Sequence, residues 1–299
     1  MINQIIHKFS GLITAQVEEI AYPDEVLSHS GKPLPVSKGG FVIVDNMDDA
    51  KVLLEDGITN IECDRDLGDE FYRSAEDANE SVVAELSRLF NMIDQVSRRV
   101  RYKTPEAVLD AYKKVLDSFE KTLGREPNLV TRQAMKDIIE FHAPMQALQR
   151  QVNMKFGRDW DQGGFTYRGR QHKTSDTGNE YFVHVDELDE DGLIRGGITY
   201  LGKTTIKIDD RLTVRDIEDV VPSTSNSTPP GTAERILMKY DSTSSKLGNL
   251  SLMKAYQGCH QPTTTLDFNA KETIRNTCVH TWPMLEPDEL RYAYFFNIV

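Results

Sequence analysis

Three cysteines in 299 residues, Cys63, Cys259 and Cys278, are too few to staple a disulfide scaffold. The fold must therefore rest on a core, and the chain reads as the product of a reducing compartment. Long apolar runs are missing as well. Nothing approaches the roughly 18 consecutive apolar residues of a membrane helix, and the opening MINQIIHKF has no signal-peptide centre. Positive charge is in short supply: 35 Lys plus Arg stand against 47 Asp plus Glu, a formal charge of -12 and a pI near 5.1. Gripping nucleic-acid phosphates needs clustered cations, so this balance argues against nucleic acid as the main partner. Internal repeats and lipidation motifs are absent too. What remains is a soluble, acidic, cytoplasmic protein with no membrane partner, or a virion component if a phage encodes it.

The feature that is present in strength is helical periodicity from about 71 to 156. Ser74 opens a run in which Val82, Val83, Leu86, Leu89, Phe90, Ile93, Val96 and Val100 recur by threes and fours, putting them on one helix face. Acids crowd its start and Arg98, Arg99 and Arg101 its end, matching the helix dipole. Thr104-Pro105-Glu106 is an N-cap, a first-turn proline and a first-turn acid. The second pattern runs from Val108 through Leu123 and stops at Gly124. A third opens near Asn128 or Thr131 and carries its stripe to Phe156, with a kink or restart expected at Pro144. Short links make such helices antiparallel neighbours.

Residues 1–70 form a small α/β module in this reading. Leu12 to Val17 alternates as a strand, and Phe41-Val42-Ile43-Val44 is an apolar one. Asp45-Asn46 caps a short helix from Met47, Gly57 stops it, and Ile58 to Cys63 is the next strand. The stretch SGKPLPVSKGGFVIVDNMDDAKVLLEDGITNIECD resembles the small module that precedes the catalytic domain of HD-GYP signalling phosphodiesterases. The His-Asp and Gly-Tyr-Pro signatures do not follow downstream, so the resemblance implies no activity and no site residues here. From 157 to 299 the period changes to two. Strands are expected at 181–185, 197–201, 235–240 and 292–299, with an exposed Ser/Thr/Pro loop at 220–231. The whole is α+β: an N-terminal α/β module, a central antiparallel helical hairpin or three-helix segment, and a mostly antiparallel C-terminal β domain.

Gly197-Ile198-Thr199-Tyr200-Leu201-Gly202-Lys203-Thr204 matches the phosphate-loop pattern letter for letter, which makes Gly197, Gly202, Lys203 and Thr204 candidate cofactor-binding residues. The residues between are strand formers, however, and TTIKI after them alternates. A β-hairpin turning at Gly202, where positive φ is needed, is the preferred account. Cys259-His260 and Cys278-x-His280 offer soft and imidazole ligands, and Cys278 and His280 share a strand face, so a zinc site is the candidate metal reading. Their spacing fits no strong zinc signature. His184 with Asp186, and His172 with Asp176, are possible acid/base pairs read here as surface histidines. Glu187-x-Asp189-x-Asp191-Gly192 is half a calcium loop without its bidentate glutamate and is kept as an acidic turn.

No convergent catalytic set emerges, and no cofactor is assigned. The preferred function is a non-catalytic structural or assembly protein, contacting copies of itself or other subunits of a large complex such as a tailed-phage neck, tail or baseplate. The alternative is a cytoplasmic nucleotide- or metal-binding enzyme or regulator, using the 197–204 loop or the Cys/His pairs.

Overall fold

The computed structural model describes residues 23–155, 163–173, 183–188, 194–212, 216, 221–222, 231–257, 278–281, 283, 285–286 and 288–298. Within them the chain is α+β. Strands β1 (Glu25–Leu27) and β2 (Pro33–Pro35) pair antiparallel by themselves. Strand β3 (Phe41–Val44) leads into a 3-10 helix (Met47–Leu54) capped by Asn46, whose side chain accepts from the Asp48 amide. Strand β4 (Asn60–Cys63) then returns parallel to β3, giving the strand-helix-strand unit that the pattern predicts. The expected strand at 12–17 lies outside the described residues.

Helix α1 (Asp69–Glu76) contains Ser74, so the long amphipathic helix starts later than the sequence suggests. Asn79 caps α2 (Glu80–Val100) by accepting from the Ser81 amide. Thr104 and Pro105 open α3 (Pro105–Leu123), and Gly124, at φ 68°, closes it in the left-handed region where glycine pays no Cβ penalty. The third pattern is two helices, α4 (Leu129–Glu140), capped by Asn128, and α5 (His142–Lys155). Pro144 has no N–H to offer the Glu140 carbonyl, and the break falls at Phe141 between them.

Two larger sheets follow. The six-stranded one runs β3-β4-β12-β8-β15-β5, with β5 (Gly169–Lys173), β8 (Ile194–Leu201), β12 (Leu250–Lys254) and β15 (Tyr292–Ile298). Sequence segments 1–70 and 157–299 therefore share one sheet, and 71–156 packs on it through one apolar cluster. The five-stranded sheet runs β10-β6-β14-β9-β11. Its members are β6 (Val183–Val185), β9 (Ile206–Ile208), β10 (Val221–Pro222), β11 (Ser242–Ser244) and β14 (Val279–Thr281). Strands β7 (Glu187–Leu188) and β13 (Tyr256–Gln257) pair separately.

Side-chain alternation shows how these layers stack, because successive residues of a strand face opposite sides. Along β15, Tyr292, Tyr294, Phe296 and Ile298 join the helices in the main cluster, with the Phe90 ring stacked 4.0 Å from that of Tyr294. Ala293 and Phe295 face the other way, into a separate cluster with Phe41, Met253 and Cys278. In β6 and β14, Val183, Val185 and Val279 pack on α6 (Thr232–Lys239). His184 and His280 are left on the opposite face, towards the six-stranded sheet. Each fully buried ring contributes roughly 1.5–3 kcal/mol. A polar hub ties helix to sheet: Arg65 makes two bonds, of 2.6 and 2.7 Å, to Asp137 of α4, and the Tyr200 hydroxyl of β8 donates to the same carboxylate at 3.0 Å.

Two expectations are corrected. Residues 235–239 are helical and Tyr240 is the extended C-cap: Ala233, Ile236, Leu237 and Tyr240, spaced by threes and fours, are the residues that cover the valines of the second sheet. The hairpin through Gly202 does not form. Gly202 has the positive φ expected, 72°, but β8 pairs with β12 and β15 while β9 pairs with β14 and β11. The turn carries the chain from one sheet to the other, and its glycine is required because a Cβ there would stand 2.0 Å from the Leu290 carbonyl oxygen. The closing strand, expected at 292–299, lies between β8 and β5 of its own chain.

Candidate metal centre

Register decides the site. Strands β6 and β14 are antiparallel with His184 directly opposite His280, so the two imidazoles project side by side, ring centroids 4.3 Å apart. Asp186, two residues beyond His184, falls on the same face. His184, Asp186 and His280 are each buried, and one ligand atom from each lies within 4.8 Å of the others. Among the described residues this is the one group of three or more His, Cys, Asp or Glu able to hold an ion. The reading of His184 as a surface histidine is thus overturned: the inter-sheet face covers it and Asp186, at 1% and 3% exposure.

The hydrogen bonds fix which nitrogen is available. His280 Nδ1 stands 3.1 Å from the Cys278 carbonyl, an oxygen that only accepts, so Nδ1 carries the proton. In the neutral ring Nε2 is then a bare lone pair, and it faces Asp186 Oδ2 at 3.5 Å. That oxygen meets no hydrogen-bond donor, while Oδ1 takes Arg195 Nη1 at 2.9 Å. Burial holds His280 below the ordinary imidazole range, against the pull of Asp186, and so keeps the ring neutral. Burial, the largest single effect, raises the Asp186 carboxyl, but Arg195 together with His280, His184 and His172 outweighs it and the net shift is downward, so the group stays ionised. Two buried acceptors therefore point at each other, an arrangement that a cation between them resolves. A histidine whose far nitrogen donates to a backbone carbonyl is also the usual form of a metal ligand. The donor set fits a divalent ion.

Cations surround this acidic point in an acidic protein. Arg195 comes from β8, where the alternation turns odd-numbered residues towards the second sheet. Arg291, immediately before β15, is wholly buried, donates Nε–H to the Lys203 carbonyl at 2.9 Å, and is pulled down to about 10 by burial. His172 of β5 is held at about 3, first by burial, then by Arg291 and Arg195, while Asp186 pulls the other way. Arg291, Arg195 and Asp186 all act on one imidazole, which puts them in one neighbourhood. Lys207, opposite His280 in register, is buried against Glu62 at 2.9 Å.

The sequence candidates divide. His280 belongs to the cluster. Cys278 shares its strand face but lies in the apolar pocket of Phe41, Met253, Ala293 and Phe295, where burial pushes the thiol up to about 12, and it is not among the residues whose ligand atoms converge with His280. Cys259, His260 and Asp176 lie outside the described residues, as do 189–193 of the acidic turn and most of the 220–231 loop. Gly197 sits mid-strand between Ser251 and Phe295, its amide committed to the sheet. It is glycine because a Cβ would stand 2.5 Å from the Phe295 ring. After Gly202, Lys203 and Thr204 the chain enters β9, not a helix, and Lys203 pairs with Glu289 at 2.7 Å. That geometry cannot cradle a phosphate. Missed in the sequence were the union of His184 and Asp186 with a histidine far downstream, and the role of Arg195. His-x-Asp on a strand was the available signal.

No family model, curated protein or solved structure matches the chain. Among the described residues no helix is long and apolar enough to cross a membrane.

Proposed function

We propose that the chain is a mononuclear metalloenzyme of the non-haem Fe(II) oxygenase type, with His184, Asp186 and His280 as its metal ligands. The observation that carries this reading is the buried pair of facing acceptors, His280 Nε2 and Asp186 Oδ2, with His184 beside them. Two histidines and one carboxylate with positions left open is the donor set of oxygen-activating Fe(II) sites. The same set also serves hydrolytic zinc. Zinc would generate its own hydroxide by lowering the pKa of bound water, so the two chemistries share these ligands and are separated by which metal binds and by oxygen uptake.

Bound iron would supply oxygen activation, which takes two electrons beyond those a substrate C–H bond gives. A 2-oxo acid can provide them by oxidative decarboxylation. The chain's own part is to hold three donors on and beside two adjacent strands, in the buried space between the sheets. Burial keeps the His280 nitrogen free of protons for the ion. An assembly role is the weaker proposal, because the helical stripes that motivated it are covered by the six-stranded sheet of the same chain.

The test is anaerobic titration with Fe(II), Co(II) and Zn(II) of the wild type and of His184→Ala, Asp186→Ala and His280→Ala, followed by oxygen uptake with and without a 2-oxo acid. Stoichiometric binding in the wild type alone, with iron-dependent uptake stimulated by the 2-oxo acid, is the expected result. Absent binding, or equal binding in all three variants, would remove the proposal. Tight zinc with no oxygen uptake would replace the oxygenase by the hydrolytic reading.

A further inference from the structure

The geometry points to Arg195 as the positioning residue that makes Asp186 a one-oxygen ligand, an inference that rests on the metal reading above. Asp186 follows directly on β6, and its carboxylate is free to turn about its last bond unless something fixes it. Arg195 reaches it from β8 of the other sheet. That strand is held on both sides, Arg195 pairing with Met253 of β12 and Asn297 of β15, so the guanidinium stands on a rigid base. Its Nη1 takes Oδ1 at 2.9 Å. Oδ2 is thereby turned to His280 Nε2, at 3.5 Å, without a donor of its own. His184 Nε2 is 4.0 Å from Oδ1.

The division of labour between the two oxygens has a consequence for the metal. A carboxylate left to itself can ligate through both oxygens and use up two coordination positions. With Oδ1 held by a guanidinium that is 14% exposed, Asp186 would ligate a metal through Oδ2, leaving to other ligands the position that a two-oxygen carboxylate would take. Arg195 also stands in for the ion's charge when the metal is away, sparing Asp186 the cost of an uncompensated buried carboxylate. Arginine suits this task better than lysine, since its planar fork fixes direction as well as charge.

The experiment uses the full-length chain and Co(II) as the probe, in the wild type, Arg195→Gln and Arg195→Lys. Arg195→Gln should weaken Co(II) binding by about 10- to 100-fold, as loss of a residue supporting a ligand does. At saturation its visible d–d absorption should fall, because a carboxylate bound through both oxygens raises the coordination number. Arg195→Lys, which keeps the charge but not the fork, should restore much of the affinity and leave the spectrum altered. A purely structural role for Arg195 would lower thermal stability without changing the saturated spectrum, and that outcome overturns the inference. So does Co(II) binding by Arg195→Gln with wild-type affinity and spectrum. Should Arg195→Gln fail to fold, Arg195→Lys decides alone, its spectrum unchanged counting against the inference. Failure of the wild type itself to bind Co(II) would instead sink the metal reading, so the two failures are distinguishable.

Discussion

Acid should loosen this fold well before its carboxylates titrate, and His172 permits the size of the effect to be worked out. Burial and the guanidinium groups of Arg291, Arg195 and Arg170 hold its folded-state pKa at about 3, whereas in the unfolded chain it returns to 6.5. Between those values the unfolded state binds a proton that the folded state refuses, so stability rises with pH across the window and falls as pH drops through it. From pH 7.5 to 5.5 the unfolded form gains about 1.4 kcal/mol from this one imidazole, while the folded form gains almost nothing. His142 and His280, also held low chiefly by burial, push in the same direction.

The assay is urea unfolding followed by circular dichroism, on metal-free wild type and His172→Gln, at both pH values. With a slope of about 3 kcal/mol per molar urea for a chain of this size, one histidine moves the midpoint by roughly half a molar. The variant should therefore lose about 1.4 kcal/mol less than the wild type on acidification, while keeping a residual loss from His142 and His280. An identical loss in the two proteins would show that His172 is protonated, or solvated, in the folded state, and the account of a cationic, water-poor inter-sheet space would fail with it.

Other outcomes follow from single contacts. Arg65→Ala leaves Asp137, 1% exposed, without its bidentate partner, and should cost about 3–5 kcal/mol by denaturant titration; a loss near zero would mean the carboxylate is solvated or protonated. Gly197→Ala drives a methyl group into the Phe295 ring and should lower stability by about 1–3 kcal/mol, whereas a phosphate-loop role would instead show as lost nucleotide binding at unchanged stability. Lys203→Ala removes a half-exposed ion pair with Glu289 and should change thermal stability by less than about 1 kcal/mol, with no effect on nucleotide binding. Saturating metal, at about 100 times its dissociation constant, should stabilise the wild type by about 2.7 kcal/mol and leave His280→Ala unmoved in a thermal-shift assay.

Local chemistry was enough for the helices. The periodicity that put Leu86, Leu89, Phe90 and Ile93 on one face, the Thr104-Pro105 start, the Gly124 stop and the Pro144 interruption are all statements about neighbours within a turn or two, and they hold. The apolar strand at 41–44, a strand within 58–63 and the positive φ of Gly202 were legible for the same reason. Residues 235–239 are helical because Ala233, Ile236 and Leu237 recur at helical spacing and cover the second sheet, a face that a strand period through 235–240 does not present.

Pairing over long distances was not legible. That β8 and β9 part company at Gly202 depends on β12 and β15 claiming one and β14 the other. Likewise, nothing near His184 announces His280, since what joins them is the register of two short strands separated by about a hundred residues of chain. Composition, helix ends and turn chemistry are properties of the sequence by itself, because they are settled by forces that act over a few residues. Which side chains face each other between the sheets was decided only by the tertiary structure, because strand register is a collective choice and the facing acceptors of His280 and Asp186 exist only once that choice has been made.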